Sequence, residues 1–207
     1  HLTADEMYQS VENYYAIAKK LGDEVVVLGT SFGGAMSVNL CKNHPEIKAL
    51  ILYGPCIKIK DPAAEIVDNP WGLQIARLIL KGENRTIESK NPLHNQYWSL
   101  HYRIEGIIAM QNFLTHTMNK ETFAGMKTPV YLTYYYKDKQ HQDDVVSVDA
   151  MKEMFPQLGT PDSLKKEEAI PLSGYHVMTS PILGKHVEIV TQKSIDFLEK
   201  TVQLKRI

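Results

Sequence analysis

The sequence predicts an α/β fold in which a mostly parallel sheet is flanked by helices. Residues 24–29 and 49–55 are apolar runs without polar alternation, which is typical of strands covered on both faces. Residues 32–43 have a helical pattern and lie between these runs, as the crossover between two parallel strands requires. The chain of 207 residues, 43% apolar and 23% charged, is long enough for one domain with a buried core.

A helix is predicted at the start of the chain. Thr3 and Glu6 have the spacing of a capping box, in which each side chain accepts a hydrogen bond from the backbone amide of the other residue. Apolar residues then recur every three to four positions as far as Leu21, and Gly22 follows as a stop signal. This pattern predicts a helix that buries one face.

The middle of the chain departs from the alternation of strands and helices. Residues 61–128 contain two amphipathic helical patterns, near 71–79 and 104–114. A polar segment and an aromatic stretch lie between them, and no strand is evident. We therefore predict a helical insertion at 61–128 in a core formed by residues 1–60 and 129–207.

The alternation of strands and helices resumes after the predicted insertion. The expected elements are a strand at 129–136, a helix at 148–158, a short strand at 168–172 and a last helix at about 185–202.

The composition excludes several classes of partner and cofactor. A formal net charge of -1 gives no positive field for binding nucleic acid. No run approaches the ~20 apolar residues of a membrane-spanning helix. Cys41 and Cys56 fit neither a disulfide framework nor a four-ligand metal site, so reduced thiols and no metal are expected.

The sharpest chemical signal is the Gly-x-Ser-x-Gly sequence at residues 29–33, placed between a predicted strand and a predicted helix. At such a turn the serine takes a strained backbone conformation that exposes its hydroxyl. Gly29 and Gly33 are expected to avoid collisions that a Cβ atom would make with neighbouring chain. Ser31 is the predicted nucleophile, and the Phe32 amide is a predicted oxyanion donor at the positive end of the helix.

A serine nucleophile needs a base, and His176 is the preferred candidate. It lies in a glycine-containing loop after the strand at 168–172, at the sheet edge where Ser31 is expected. The two side chains should then lie within hydrogen-bond distance of each other, or somewhat further apart when no ligand is bound. His101 and His141 stay open as pocket residues. The other histidines are predicted to be surface or core residues: His1, His44, His94, His116 and His186.

The third catalytic group should be a carboxylate in the loop after the strand at 129–136. Asp138, Asp143 and Asp144 all lie there. Asp143 is preferred because the apolar residues that follow can anchor the loop, whereas Asp138 stands among charges typical of a solvated loop. The sequence does not force the choice between Asp143 and Asp138.

These features resemble the α/β-hydrolase family over the whole chain. Residues 29–33 match its nucleophile elbow, and the order Ser31, Asp143, His176 matches its Ser…Asp…His order. The resemblance implies a cofactor-independent serine hydrolase that cleaves a small-molecule carboxylic ester through an acyl-serine intermediate. The same residues would also serve for an amide, a thioester or a carbon–carbon bond, and a hydrolase-like binding scaffold is the non-enzymatic alternative.

The resemblance also implies that the helical insertion at 61–128 is the family's cap. It further implies an expectation for one edge of the sheet. Members of the family carry further strands before the position at which this chain starts, so we expect the chain to be the C-terminal portion of a hydrolase. The strand at 24–29 lacks the charges and prolines that protect natural edges. We therefore expect it to pair with an N-terminal segment of the same protein or with a second copy. Six apolar cap residues fit an acyl pocket and plain core equally well: Trp71, Leu73, Leu78, Ile107, Met110 and Phe113.

Overall fold

The computed structural model describes residues 2–205 as a parallel sheet surrounded by helices. The helices and strands are, in chain order, α1 (Ala4–Leu21), β1 (Val26–Thr30), α2 (Phe32–Asn43), β2 (Ala49–Tyr53), α3 (Gly72–Leu80), β3 (Asn84–Thr86), α4 (Pro92–Tyr97), β4 (His101–Arg103), α5 (Ile104–Thr117), α6 (Lys120–Gly125), β5 (Val130–Tyr134), α7 (Val148–Met154), β6 (Lys165–Ala169) and α8 (Val187–Lys200). None of the described helices is both long and apolar enough to cross a membrane.

The main sheet has four parallel strands in the order β1-β2-β5-β6. Every residue of β2 and β5 is buried, because these two strands are rich in apolar side chains and are covered on both faces. The register aligns Thr30 with Tyr53 and Tyr53 with Thr133, so the carboxyl ends of neighbouring strands meet at one edge of the sheet. The predicted α/β fold class is confirmed.

The first helix begins as the sequence predicts. The Thr3 hydroxyl accepts a hydrogen bond from the Glu6 amide at 3.2 Å, and the Glu6 carboxylate accepts one from the Thr3 amide at 2.8 Å. The capping box is therefore confirmed. Tyr15 buries its ring and donates a hydrogen bond to Glu46 at 2.9 Å, which ties α1 to the segment between α2 and β2.

The region between β2 and β5 contains strands that the sequence analysis missed. β3 and β4 form an antiparallel hairpin in which Arg85 lies opposite Tyr102. Each strand has only three residues, and their side chains are mainly exposed, so they carry no apolar signal. The prediction that residues 61–128 contain no strand is wrong.

The last strand of the sheet lies three residues earlier than predicted. β6 spans Lys165–Ala169, whereas Pro171 and Leu172 lie in the exposed turn after it. The strand is at the sheet edge, where one side of its backbone has no neighbour among the described residues, and its charged residues are satisfied at the surface. Glu168, for example, forms ion pairs with Lys166 and Lys193. A polar edge strand does not give the apolar run on which the prediction relied.

The opposite edge of the sheet is β1, which pairs only with β2 within the described residues. Leu28 on this strand keeps 59% of its surface exposed. On the adjoining α1, Tyr14 and Leu21 are also exposed, at 72% and 83%. The pairing of β1 with another segment or a second copy stays a prediction.

Candidate active site

Ser31 lies at the turn between β1 and α2, with φ 53° and ψ −125°. A positive φ is uncommon for a residue that carries a Cβ atom, and such strain is found mainly at functional sites. Besides the bonds from the Gly34 and Ala35 amides to its carbonyl, Ser31 forms two backbone hydrogen bonds outside α2. The Ser31 amide donates to the Tyr53 carbonyl at 3.2 Å, and the Ser31 carbonyl accepts from the Cys56 amide at 2.8 Å. The turn is thus bonded to the chain that follows β2.

Glycines allow the backbone around Ser31 to pack closely. Of the two predicted glycines, only Gly29 is in such a close contact. A Cβ atom on Gly29 would lie 2.7 Å from the Gly34 Cα atom, and one on Gly34 would lie 2.8 Å from the Pro55 Cβ atom. A Cβ atom on Gly33 would meet nothing within 4 Å. The expectation of a collision is therefore wrong for Gly33, since that residue faces open space, and Gly34 makes the close contact instead.

Asp143 and His176 form a buried pair, which we call the acid–base pair. Their side chains are 0% and 6% exposed, and the His176 Nδ1 atom lies 2.6 Å from the Asp143 Oδ2 atom. The other carboxylate oxygen of Asp143 accepts hydrogen bonds from the Val145 and Val146 amides at 2.9 and 3.0 Å. Each carboxylate oxygen therefore has a partner, and the imidazole is held in one orientation.

The loop before Asp143 explains how an acid so far along the chain reaches the sheet. Tyr136 and Gln142 pair as an isolated antiparallel bridge, so the residues between them form an excursion that returns to its starting point. The Asp143 amide then donates to the Tyr135 carbonyl at 3.1 Å. Asp143 consequently lies beside the end of β5, although six residues separate it from Tyr136.

Asp138, the alternative acid, has a different partner. Its carboxylate lies 2.9 Å from the His141 Nδ1 atom and is half exposed. The hydrogen bonds to His141 lower the pKa of Asp138. The structure joins His176 to Asp143 and not to Asp138.

Residues 58–60 hold the acid loop from the other side. The Lys60 side chain donates to the Asp143 carbonyl at 2.6 Å, and the Lys60 amide donates to the Val145 carbonyl at 3.0 Å. The Ser147 amide donates to the Lys58 carbonyl at 2.9 Å. The sequence analysis did not single out Lys60, because nothing in the sequence shows that its side chain reaches this loop.

Gly54 brings the turn at Ser31 and the acid–base pair into contact with one short segment. It follows β2 with φ +50°, and its amide donates to the Thr133 carbonyl at 2.7 Å. A Cβ atom here would lie 3.3 Å from the Asp143 Oδ2 atom and 3.5 Å from the His176 Nδ1 atom. Tyr53 and Cys56, on either side of Gly54 in the chain, both form hydrogen bonds with the Ser31 backbone. The three predicted residues therefore surround residues 53–56.

The predicted hydrogen bond between Ser31 and His176 is not formed. The His176 Nε2 atom is buried and has no hydrogen-bond partner. The close approach of the two side chains, somewhat looser than a hydrogen bond without a ligand, stays a prediction. The nitrogen that would accept the serine proton therefore forms no hydrogen bond with any other side chain among residues 2–205.

The remaining histidines have partners of their own. His101 and His141, which the sequence analysis kept open as pocket residues, are both exposed. His1 lies outside the described residues. The nearest hydrogen-bond partners are Glu12 for His44, Ser89 for His94, Thr86 for His101, Asn112 for His116, Asp138 for His141 and Glu188 for His186.

Cys56 belongs to the segment 53–56, but its thiol is not activated as a nucleophile. Burial, with a smaller contribution from the Asp143 charge, raises the pKa of the Cys56 thiol to about 12. Cys41 is buried too, and desolvation raises its pKa to about 12. Both are free thiols, and their protonated state at neutral pH makes them unreactive.

A cavity of about 790 Å³ opens beside Phe32, and we call it the Phe32 cavity. Ile107 and Met110 of α5 line it, as the prediction of an acyl pocket allows, whereas Phe113 packs edge-on against the Phe32 ring. The predicted pocket residues Trp71 and Leu78 instead lie on the surface, with 70% and 79% of their area exposed, and Leu73 is half-buried. Leu73 and Leu78 lie in α3, and Trp71 directly precedes it. The apolar residues of this helix are largely exposed.

No group of three or more histidine, cysteine or acidic side chains among residues 2–205 has the arrangement of a metal site.

The Phe32 amide is the first of α2 and has no partner within the helix.

Comparison with protein families identifies the chain. Residues 3–160 match the family model Hydrolase_4, described as serine aminopeptidase, S33. The chain belongs to this family. The Hydrolase_4 match contains Ser31 and Asp143, while His176 lies beyond its end. A search of curated proteins gave no match.

Solved structures show the α/β-hydrolase fold for this Hydrolase_4 member. A structure reported for the metagenome-derived lipolytic enzymes LipS and LipT superposes with a TM-score of 0.73 at 15% identity, covering 96% of this chain and 74% of that one. The monoacylglycerol lipase of Paleococcus ferrophilus gives 0.66 at 15% identity, with 96% and 76% covered. A soluble variant of the Saccharomyces cerevisiae monoglyceride lipase gives 0.63 at 14% identity, with 97% and 70% covered.

Proposed function

We propose that this protein is a serine hydrolase that cleaves carboxylic esters through an acyl intermediate on Ser31. The observation that carries the proposal is the acid–base pair, because a buried imidazole bonded to a carboxylate has the arrangement of a general base held for proton transfer. The strained turn at Ser31 supports it independently, since it resembles a nucleophile elbow.

The chemistry follows from the bonding of each residue. The His176 Nε2 atom takes the proton from the Ser31 hydroxyl as the Oγ atom attacks the ester carbonyl, and the same proton then passes to the departing alcohol. Asp143 keeps the other ring proton on the Nδ1 atom and stabilises the imidazolium that forms. Water then attacks the acyl group, with His176 again accepting a proton, and the acid and free Ser31 are released.

The oxyanion of the tetrahedral intermediate needs hydrogen-bond donors. The Phe32 amide fits this role because it follows the nucleophile and begins α2, where the positive end of the helix dipole favours negative charge. For the proton transfer, the Ser31 Oγ atom must close on the His176 Nε2 atom. Catalytic hydrogen bonds of this kind tighten when substrate binds.

Amide hydrolysis is the second candidate, because the family model is described as a serine aminopeptidase. The lipases among the structural neighbours favour esters. We propose the helices and hairpin at 61–128 as a cap over the site that selects between these substrates.

The test compares the purified wild-type protein with Ser31→Ala on p-nitrophenyl butyrate and on an aminoacyl p-nitroanilide. We expect the ester to be hydrolysed by the wild type and not by the variant. Turnover of the anilide alone would establish the peptidase instead. Equal rates for wild type and variant on both substrates would contradict a serine hydrolase and favour a binding scaffold.

A further inference from the structure

The Phe32 cavity begins one residue away from the proposed nucleophile. Its walls come from the first turn of α1, from the β3–β4 hairpin and from the first turns of α5. Ser31 and His176 do not line it, so it is suited to a remote part of a substrate and not to the scissile bond. Its volume of about 790 Å³ is within the range of ligand pockets.

Part of the lining of the Phe32 cavity is apolar. Met7, Phe32, Ile107 and Met110 supply this surface, and all four are partly exposed. An alkyl or other apolar segment attached to an ester at Ser31 would lose its contact with water against these side chains.

The lining also contains two arginines, Arg85 and Arg103, whose side chains differ in their bonding. Arg103 binds the Glu105 carboxylate at 2.5 Å, and Arg77 binds the same carboxylate at 2.8 Å. These contacts lower the pKa of Glu105 to about 2, so the carboxylate stays ionised. Together with the Glu83 carboxylate, which lies 3.8 Å from both guanidinium groups, it offsets their two charges. Arg85 also lines the cavity; it is exposed, and its side chain has no ion-pair or hydrogen-bond partner among residues 2–205.

The position of Arg85 is defined by the hairpin. It lies opposite Tyr102 in the register of β3 and β4, and both residues line the cavity. Glu105 is the single acidic residue in the described lining, and it is already bound by two arginines. The cavity therefore combines an apolar surface with one guanidinium group that has no partner among the described residues.

We propose that the preferred substrate is an ester with a free carboxylate at the far end of an apolar segment, and that Arg85 binds this carboxylate. The proposal rests on the proposed esterase function and names its substrate class. A guanidinium group binds a carboxylate through two parallel charge-assisted hydrogen bonds, which gives direction as well as affinity. The apolar segment lies along Met7, Phe32 and Met110, and the ester is at Ser31.

The test uses two six-carbon substrates that differ in one group. p-Nitrophenyl hexanoate ends in a methyl group, and mono-p-nitrophenyl adipate ends in a carboxylate. We expect the wild type to have about a tenfold higher kcat/KM for the adipate, mainly through a lower KM, after subtraction of the uncatalysed rate. In Arg85→Gln the preference should disappear, while hexanoate hydrolysis stays within about twofold of wild type.

Two further variants separate a specific contact from a general field. Lys90→Gln removes a positive charge from the same insertion at an exposed residue outside the cavity lining, and it should keep the preference. Arg85→Lys keeps the charge without the planar fork and should restore part of it. An equal loss in Arg85→Gln and Lys90→Gln, or a wild type without preference, would overturn the proposal.

Failure of the esterase function is distinguishable from failure of this inference. If neither ester is hydrolysed faster by wild type than by Ser31→Ala, the esterase proposal fails, and calorimetric titration with adipate, compared with the uncharged 1-hexanol, tests the anion site alone. Binding of adipate that depends on Arg85 would support the site. No binding of adipate to the wild type would overturn it.

Discussion

Replacing Asp143 by Asn should abolish catalysis while preserving the fold, for a reason that the geometry makes explicit. One carboxylate oxygen of Asp143 accepts two hydrogen bonds, from the Val145 and Val146 amides. An asparagine keeps both only if its oxygen takes that position, because its amino group can only donate. The amino group must then face the His176 Nδ1 atom, which lies 2.6 Å from the carboxylate in the wild type.

That orientation fixes the wrong tautomer of His176. A donor facing the Nδ1 atom makes this nitrogen the acceptor, so the ring proton moves to the Nε2 atom and no lone pair remains there for the serine proton. Loss of the correct tautomer in a serine triad lowers kcat by about 10⁴. Such a decrease corresponds to about 5 kcal/mol of transition-state stabilisation.

The assay is the steady-state hydrolysis of p-nitrophenyl butyrate by Asp143→Asn and by the matched control Asp138→Asn. The control removes an exposed carboxylate bound to His141 and should keep activity within about twofold. Both variants should unfold within a few degrees of wild type, since about 1 kcal/mol shifts the melting temperature of a chain of this size by roughly 3 °C. An Asp143→Asn enzyme with more than a tenth of wild-type kcat would refute the reasoning.

Three further outcomes follow from the same contacts. Gly54→Ala should lower stability by about 1–2 kcal/mol, because φ is +50°, and should lower kcat by crowding the acid–base pair; unchanged denaturation and kinetics would show that the turn can relax. Cys41 and Cys56, whose pKa values are both raised to about 12 by burial, should resist a thiol reagent at pH 8 in the native protein and titrate as two thiols in urea; rapid native labelling would contradict their burial. The Arg103 contact holds the pKa of Glu105 down at about 2, so this carboxylate stabilises the fold above its unfolded pKa of about 4.3 and ceases to do so as pH falls toward 2. Urea unfolding should therefore show Glu105→Gln less stable than wild type at pH 7 with the gap closing toward pH 2, and a gap independent of pH would argue against that contact.

The order of strands and helices was predictable because the central strands are buried on both faces. β2 and β5 contain little except apolar and aromatic residues, so their strand character is local to the sequence. The turn at Ser31 was predictable for a related reason, since glycines mark where the backbone must pass closely. Gly34 could not be distinguished from Gly33 beforehand, because the contact that requires it comes from Pro55, distant in the sequence.

Other features depend on contacts that no local pattern reveals. The sequence favoured Asp143 over Asp138 without deciding between them, because it does not show the bridge between Tyr136 and Gln142 that returns the loop to the strand end. The charged strand β6 is stable at an edge because partners on neighbouring elements bind its side chains, Lys193 among them. The role proposed for Arg85 could not be inferred from the sequence, because it depends on the hairpin that places this residue in the lining of the Phe32 cavity.

Covalent labelling of Ser31 tests the central claim most directly. A fluorophosphonate reacts with a serine hydroxyl only where a base removes its proton, and it forms a stable adduct with loss of fluoride. We expect intact-mass analysis to show one adduct per chain, peptide mapping to place it on Ser31, and Ser31→Ala and Asp143→Asn to react at least a hundredfold more slowly. An unlabelled wild type that is folded by circular dichroism, or labelling that is unchanged in Ser31→Ala, would contradict the account.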